Sequence, residues 1–143
     1  MNPLIEGNTL IILRAASGAG KTTFAEFLES MADPGHVKIF TADDYFIDAD
    51  GNYNFDLSKL DAAHAQCRKN AMDEMNRCTR VVIVANTSTS RKEYKDYEDY
   101  ARFKGYEIVS LVLENLHGNS DVHGVPVETL KRQKEKLKES LRL

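Results

Sequence analysis

Four stretches of the chain are apolar with little polar interruption: Asn8–Ala15 (NTLIILRA), Val37–Thr41, Arg80–Ser88 (RVVIVANTS) and Tyr106–Glu114 (YEIVSLVLE). Short runs rich in Val, Ile and Leu predict strands buried on both faces, as in parallel sheets. Between them the apolar positions recur with helical period. In Thr22–Ala32 they are Phe24, Phe27, Leu28 and Met31, and Asp33-Pro34-Gly35 stops the helix. Leu57–Asn76 predicts a long helix and Ser90–Phe103 another, ended by Gly105. Val127–Leu143 predicts a terminal helix, with Pro126 near its first position. Two segments carry no period and predict loops, Asp48–Asp56 (DADGNYNFD) and Asn115–Pro126 (NLHGNSDVHGVP). Strands alternating with helices predict an α/β fold: a parallel sheet of four or five strands between two helical layers.

Composition narrows the class. At 143 residues, with no linker, repeat or low-complexity tract, the chain reads as one domain over residues 1–143. Hydrophobic content of 42% and charged content of 29% are ordinary for a soluble protein. No apolar run approaches the ~20 residues of a membrane span. The opening MNPLIEGNTL lacks the layout of a signal peptide. These features predict a cytoplasmic protein without a membrane partner. Cys67 and Cys78 lack metal-ligand spacing and read as reduced packing thiols. A net charge of −3 argues against an extended nucleic-acid track, but it leaves room for one small phosphate pocket.

The junction between the first strand and first helix reads AASGAGKT, from Ala15 to Thr22. Strand, small-residue loop, Lys-Thr and helix is the arrangement of a P-loop. Its backbone N–H groups close around a polyphosphate, and side chains would block that approach, so Gly18 and Gly20 keep the space open. The helix dipole faces the same anion. Ala16, Ser17, Gly18, Ala19, Gly20, Lys21, Thr22 and Thr23 are therefore the expected nucleotide-binding residues. Lys21 is expected to reach the β- and γ-phosphates of ATP, and the Thr22 hydroxyl to ligate Mg²⁺. The usual pattern is GxxxxGK[ST]; Ala15 stands at its first glycine and would be strained if that position required a positive φ.

In open α/β sheets, chemistry collects at the carboxyl ends of the strands. There the second strand is followed by TADDYF, the third by ANTSTSRK and the fourth by ENLHGNSDVHGVP. A carboxylate among these segments can take the proton of an attacking hydroxyl, and Asp43 is the candidate base. Asp44 reads as a cap or supporting group. Tyr45, Phe46, Tyr53 and Phe55 flank the Asp48–Asp56 turn as candidates for stacking a base or for packing the loop. The turn faintly resembles a calcium loop but lacks its later acidic ligands. Leu130, Leu137 and Leu141 form the apolar side of the terminal helix.

Taken in order, the P-loop, DDYF (Asp43–Phe46), Asn86-Thr87 and HGVP before the last helix resemble the phage polynucleotide kinase group of P-loop kinases, including zeta-toxin-like relatives. The resemblance runs from about Leu10 to Leu141. It implies a P-loop NTPase fold with Lys21 and Asp43 catalytic, Asp43 acting as general base toward a 5′-hydroxyl. Substrate or lid roles are expected for Asp44, Tyr45, His64 and Asn86, while Arg91, Lys131, His117 and His123 are candidates to supply the charge of a missing lid arginine, with Thr22 expected on the metal. The expected cofactors are ATP and Mg²⁺, and the expected substrate is single-stranded or modified nucleic acid; a phage origin would place the protein in the host cytoplasm.

The departures from the group are specific. Its substrate arginine after DDY is Phe46 here, the segment Asn115–Pro126 carries no Arg or Lys, and Leu116 replaces the arginine of NRHG. Ala85 and Asn86 stand where the third strand would bear a carboxylate. Besides a polynucleotide 5′-hydroxyl kinase, these differences leave open a kinase of hydroxymethylated bases in phage DNA, a nucleoside or sugar kinase, and an ATP-binding module without catalysis. Oligomeric state and the choice between ATP and GTP are open from the sequence.

Overall fold

The computed structural model of the protein describes residues 7–88, 90–114 and 124–141. The strands are β1 (Thr9–Arg14), β2 (Val37–Phe40), β3 (Val81–Asn86) and β4 (Glu107–Val112). The helices are α1 (Lys21–Ser30), α2 (Leu60–Asn76), α3 (Arg91–Phe103) and α4 (Val127–Ser140). All strand pairings are parallel, in the order β2-β3-β1-β4. The four-stranded sheet meets the lower end of the expected range.

Alternate residues of the central strands face opposite layers, as the pleat requires. Ile11, Leu13, Ile83 and Ala85 pack with Ala25, Phe24 and Leu28 of α1. Leu10, Ile12, Val82 and Val84 pack with Ala63, Cys67, Ala71 and Met75 of α2 and with Tyr97 and Ala101 of α3. Every residue of β1 and β3 is buried, whereas the edge strand β4 is largely exposed. That contrast explains why RVVIVANTS reads so clearly as a strand.

Several local details differ from the sequence reading. The helix expected from Leu57 begins as a 3-10 turn over Leu57–Lys59, because the Asp56 side chain caps Ser58 N–H. Cys67 is a buried packing thiol, but Cys78 is exposed and sits at φ 60°, in the turn that leads from α2 toward β3. Its identity serves no packing role that the apolar pattern suggested. In α4, Leu137 is buried and Leu130 partly so, while Leu141 lies exposed just past the helix end. No helix among the described residues is long and apolar enough to cross a membrane.

Candidate active site

The parallel register brings the ends of three strands level: Arg14 of β1 pairs with Asn86 of β3 and with Val112 of β4. The segment Ala15–Gly20 leaves β1 at this edge and runs directly into α1. Gly18 and Gly20 take φ of 80° and 96°, a region in which a side chain is strained. Ala15 and Ala16 are buried, and neither has a positive φ. The alanine at the first motif position therefore fits without the anticipated strain. Lys21 folds back over the loop, and its Nζ donates to the carbonyls of Ala15 (3.1 Å) and Ala16 (3.4 Å). Thr22 and Thr23 are exposed on the first turn of α1.

Beyond β2 the chain enters a 3-10 turn, Ala42–Phe46, capped by the Thr41 hydroxyl accepting from Asp43 N–H at 3.3 Å. Asp43 is partly buried, and the Tyr53 hydroxyl donates to its Oδ1 at 3.2 Å. Asp44 stays accessible at the mouth of a small cavity of about 120 Å³ whose rim includes Tyr45, Gln66 and Asn70. Partial desolvation there, followed by repulsion from Asp43, pushes the Asp44 carboxyl above its ordinary value, against the lowering effect of a hydrogen bond from the Thr41 backbone.

The aromatic residues divide into two groups. Phe46 is only 5% exposed and forms the hub, 5.1 Å from Phe55 and 6.2 Å from Tyr53 between ring centroids. Phe46 thus packs the loop and does not present a face to a ligand. Tyr45 (44% exposed) and Phe55 (53%) are the rings left open. The Asp48–Asp56 loop satisfies itself: Asp48 accepts from the N–H groups of Asp50 and Asn52 and from Asn54 Nδ2. Its carboxyl is accordingly held below the usual range, led by the Asn52 N–H bond. Among the described residues no cluster of His, Cys, Asp and Glu is arranged to hold a metal by itself.

Asn86 proves to be structural glue for the site. It is buried, its Oδ1 accepts from Ala42 N–H at 2.8 Å, and its Nδ2 donates to Cys67 Sγ at 3.6 Å. Burial pushes the Cys67 thiol up, and the buried Tyr97 hydroxyl lies beside it. Desolvation also pushes Tyr97 strongly upward. His64 is exposed on α2, and Lys131 is exposed on the first turns of α4. Arg91 pairs with the buried Glu98 at 3.3 Å, so its guanidinium is directed along α3. His117, His123 and Leu116 lie outside the described residues.

Two residues that the motif reading missed hold α4 against the P-loop. Ser17 N–H donates to Gln133 Oε1 at 3.0 Å. The buried Arg14 donates from Nε to Ser88 O (2.7 Å) and from a terminal nitrogen to Ser140 Oγ (2.8 Å), with its guanidinium 4.6 Å from the Tyr94 ring centre. Ser88 is held at φ 45°. A lone Arg at the end of an apolar strand was a signal for such a tie, since a buried guanidinium must find acceptors. Gln133, inside a charged helical run, gave none.

No protein-family model matches the chain. An uncharacterized protein of Pasteurella multocida (strain Pm70), PM0531, is 25% identical over 133 residues, covering 85% of this chain and 72% of that protein. Among solved structures, one from the Pnkp1/Rnl/Hen1 RNA repair complex aligns with a TM-score of 0.72 and 20% identity over 97% of this chain. The alignment spans 47% of that chain, so the present protein corresponds to about half of it. A gluconokinase from Sinorhizobium meliloti 1021 aligns with a TM-score of 0.58 and 14% identity, over 92% of this chain and 76% of the enzyme. The parallel four-stranded sheet between helical layers is thus a P-loop NTPase fold, shared with chains of an RNA repair complex and of a gluconokinase.

Proposed function

We propose that this chain is an ATP- and Mg²⁺-dependent kinase that transfers the γ-phosphoryl group to a hydroxyl of a single-stranded or modified nucleic acid. The observation that carries this reading is the hydrogen bond from Ala42 N–H to Asn86 Oδ1. It ties the turn bearing Asp43 to the end of β3, where Asn86 is paired with Arg14, the residue preceding the P-loop strand's exit. Candidate base and candidate phosphate cradle therefore lie at the carboxyl end of one sheet.

In this reading the backbone N–H groups of the P-loop and the Lys21 ammonium hold the β- and γ-phosphates. Lys21 would exchange its contacts with the Ala15 and Ala16 carbonyls for phosphate oxygens. Asp43, oriented by Tyr53, takes the proton from the acceptor hydroxyl. The acceptor oxygen bonds to the γ-phosphorus as the bond to the β,γ-bridging oxygen breaks, and ADP leaves. The donor set suits Mg²⁺, which keeps several waters and needs few protein ligands: Thr22 is exposed at the helix start, and the Asn86 carboxamide is already engaged. When bound, Mg²⁺ would neutralise charge on the phosphates.

A second reading, a kinase of a small hydroxyl compound such as a nucleoside or sugar, is favoured by one observation. Phe46, in place of the arginine that the resembling group uses for substrate phosphate, is buried in the loop core. Incubation with γ-labelled ATP and a panel of single-stranded DNA, RNA, hydroxymethylated duplex, nucleosides and gluconate separates the two. Label on a nucleic acid is the expected result. Label confined to a small acceptor establishes the second reading, and nucleotide binding without transfer to any acceptor removes both.

A further inference from the structure

We infer that Gln133 of α4 is a γ-phosphate ligand, supplying the hydrogen-bond donors that this chain does not place as arginine in the Asn115–Pro126 segment. This rests on the nucleotide-binding reading of the P-loop. The Ser17 N–H is a donor, so the Gln133 atom facing it at 3.0 Å is necessarily the amide oxygen. That contact holds the oxygen end of the carboxamide at the loop. Its two Nε2 hydrogens make no bond to any described residue and are presented beside the same loop. An amide nitrogen lies only ~2.2 Å from its own oxygen, a distance set by covalent geometry. The donors are therefore held next to a P-loop amide whose neighbours, Gly18 to Lys21, are those expected to enclose the phosphates.

α4 keeps Gln133 in place by other means. Leu137, one turn further on the same face, is buried, and Ser140, two turns on, bonds to Arg14 at the end of β1. Gln133 thus sits on a helix anchored at its far end, which suits a group that must be aimed before charge develops. During transfer it takes and gives no proton. Its N–H groups would hydrogen-bond the non-bridging γ-oxygens while the acceptor oxygen bonds to phosphorus, the bond to ADP breaks and the hydroxyl proton passes to Asp43.

The test compares ATP with ADP, because only ATP carries the phosphate in question. Calorimetric titration with each nucleotide and Mg²⁺ is run on the full chain, on Gln133→Ala and on Gln133→Glu, with thermal unfolding as a check of folding. Gln133→Glu keeps an acceptor for Ser17 N–H but replaces the donors with negative charge. Gln133→Ala is expected to weaken ATP about tenfold while ADP stays within about twofold, since a bond to an ionised group contributes more than a neutral one. Gln133→Glu should widen that ATP-to-ADP gap further. In single turnover with a labelled acceptor, Gln133→Ala should slow transfer about 100-fold, the usual loss for one oriented donor. Equal losses for ATP and ADP, or no loss for either, would overturn the inference and leave Gln133 as a brace of the loop. If the unaltered protein binds neither nucleotide, the P-loop reading itself fails and this inference falls with it. Nucleotide discrimination without transfer to any acceptor rejects the kinase reading while upholding the phosphate contact.

Discussion

The carboxamide of Asn86 accepts the backbone N–H of Ala42 at 2.8 Å, 44 residues away in sequence, and so joins the end of β3 to the turn that carries Asp43. The kinase group that the sequence resembles bears a carboxylate in this part of its third strand, where this chain has Ala85 and Asn86. The amide, with its other end on Cys67 Sγ, is turned to positioning.

Replacing Asn86 with Ala strands a buried N–H at the start of the 3-10 turn. Denaturant unfolding should show a loss of about 1–3 kcal/mol, the desolvation cost of an unpaired buried donor. Because the P-loop does not use Asn86, ATP affinity should stay near that of the unaltered protein while transfer slows. Equal damage to ATP binding would show that the side chain reaches the nucleotide.

Lys21→Ala is expected to abolish transfer and weaken ATP binding while leaving the unfolding midpoint almost unchanged. The partly buried lysine bonds the carbonyls of Ala15 and Ala16 and belongs to neither apolar core cluster. Nucleotide titration beside a melting curve checks both parts. Undiminished ATP affinity in the folded variant would reduce the loop to a turn.

Asp43→Asn keeps the shape of the side chain and its capacity to accept from Tyr53 but removes the proton acceptor. Transfer should fall about 10²–10⁴-fold with ATP binding retained. Tyr53→Phe removes only the orienting hydroxyl, and its loss should be near tenfold, the scale of one hydrogen bond to a charged group. Should Asp44→Asn prove the more damaging change, the base is Asp44.

The raised pKa of Asp44 has a sign that unfolding experiments can read. Its carboxyl binds a proton more tightly in the native protein than at the ordinary value of 3.8, because of partial desolvation and then Asp43. This contribution favours the native state in acid and is lost as pH rises from 3.8 through the raised native value. Asp44→Asn should therefore flatten that part of the stability profile and raise stability slightly at neutral pH, the gain being limited by the residue's exposure. A drop in stability at neutral pH would mean that the charged carboxylate makes a favourable contact on folding.

Sequence alone determined the layers and the tight turn from β1 into α1, because both depend on local rules. A short uninterrupted run such as RVVIVANTS suits a strand covered on both faces, and the glycines of AASGAGKT supply the positive φ values that turn the chain from β1 into α1. The sequence also placed Asp43 at a strand end. Tertiary structure decided which partner each polar group found. Nothing in the spacing of Ala42 and Asn86, of Arg14 and Ser140, or of Ser17 and Gln133 announces that they bond, since each pair meets only after β1 and β3 lie side by side and α4 returns to the P-loop. The same holds for the aromatic group, where four rings of similar composition divide into a buried hub, Phe46, and the open Tyr45 and Phe55. Hydrophobic periodicity records how much surface an element must bury. It carries no information about which distant donor will satisfy a given carbonyl, and at this site those long-range bonds set the geometry.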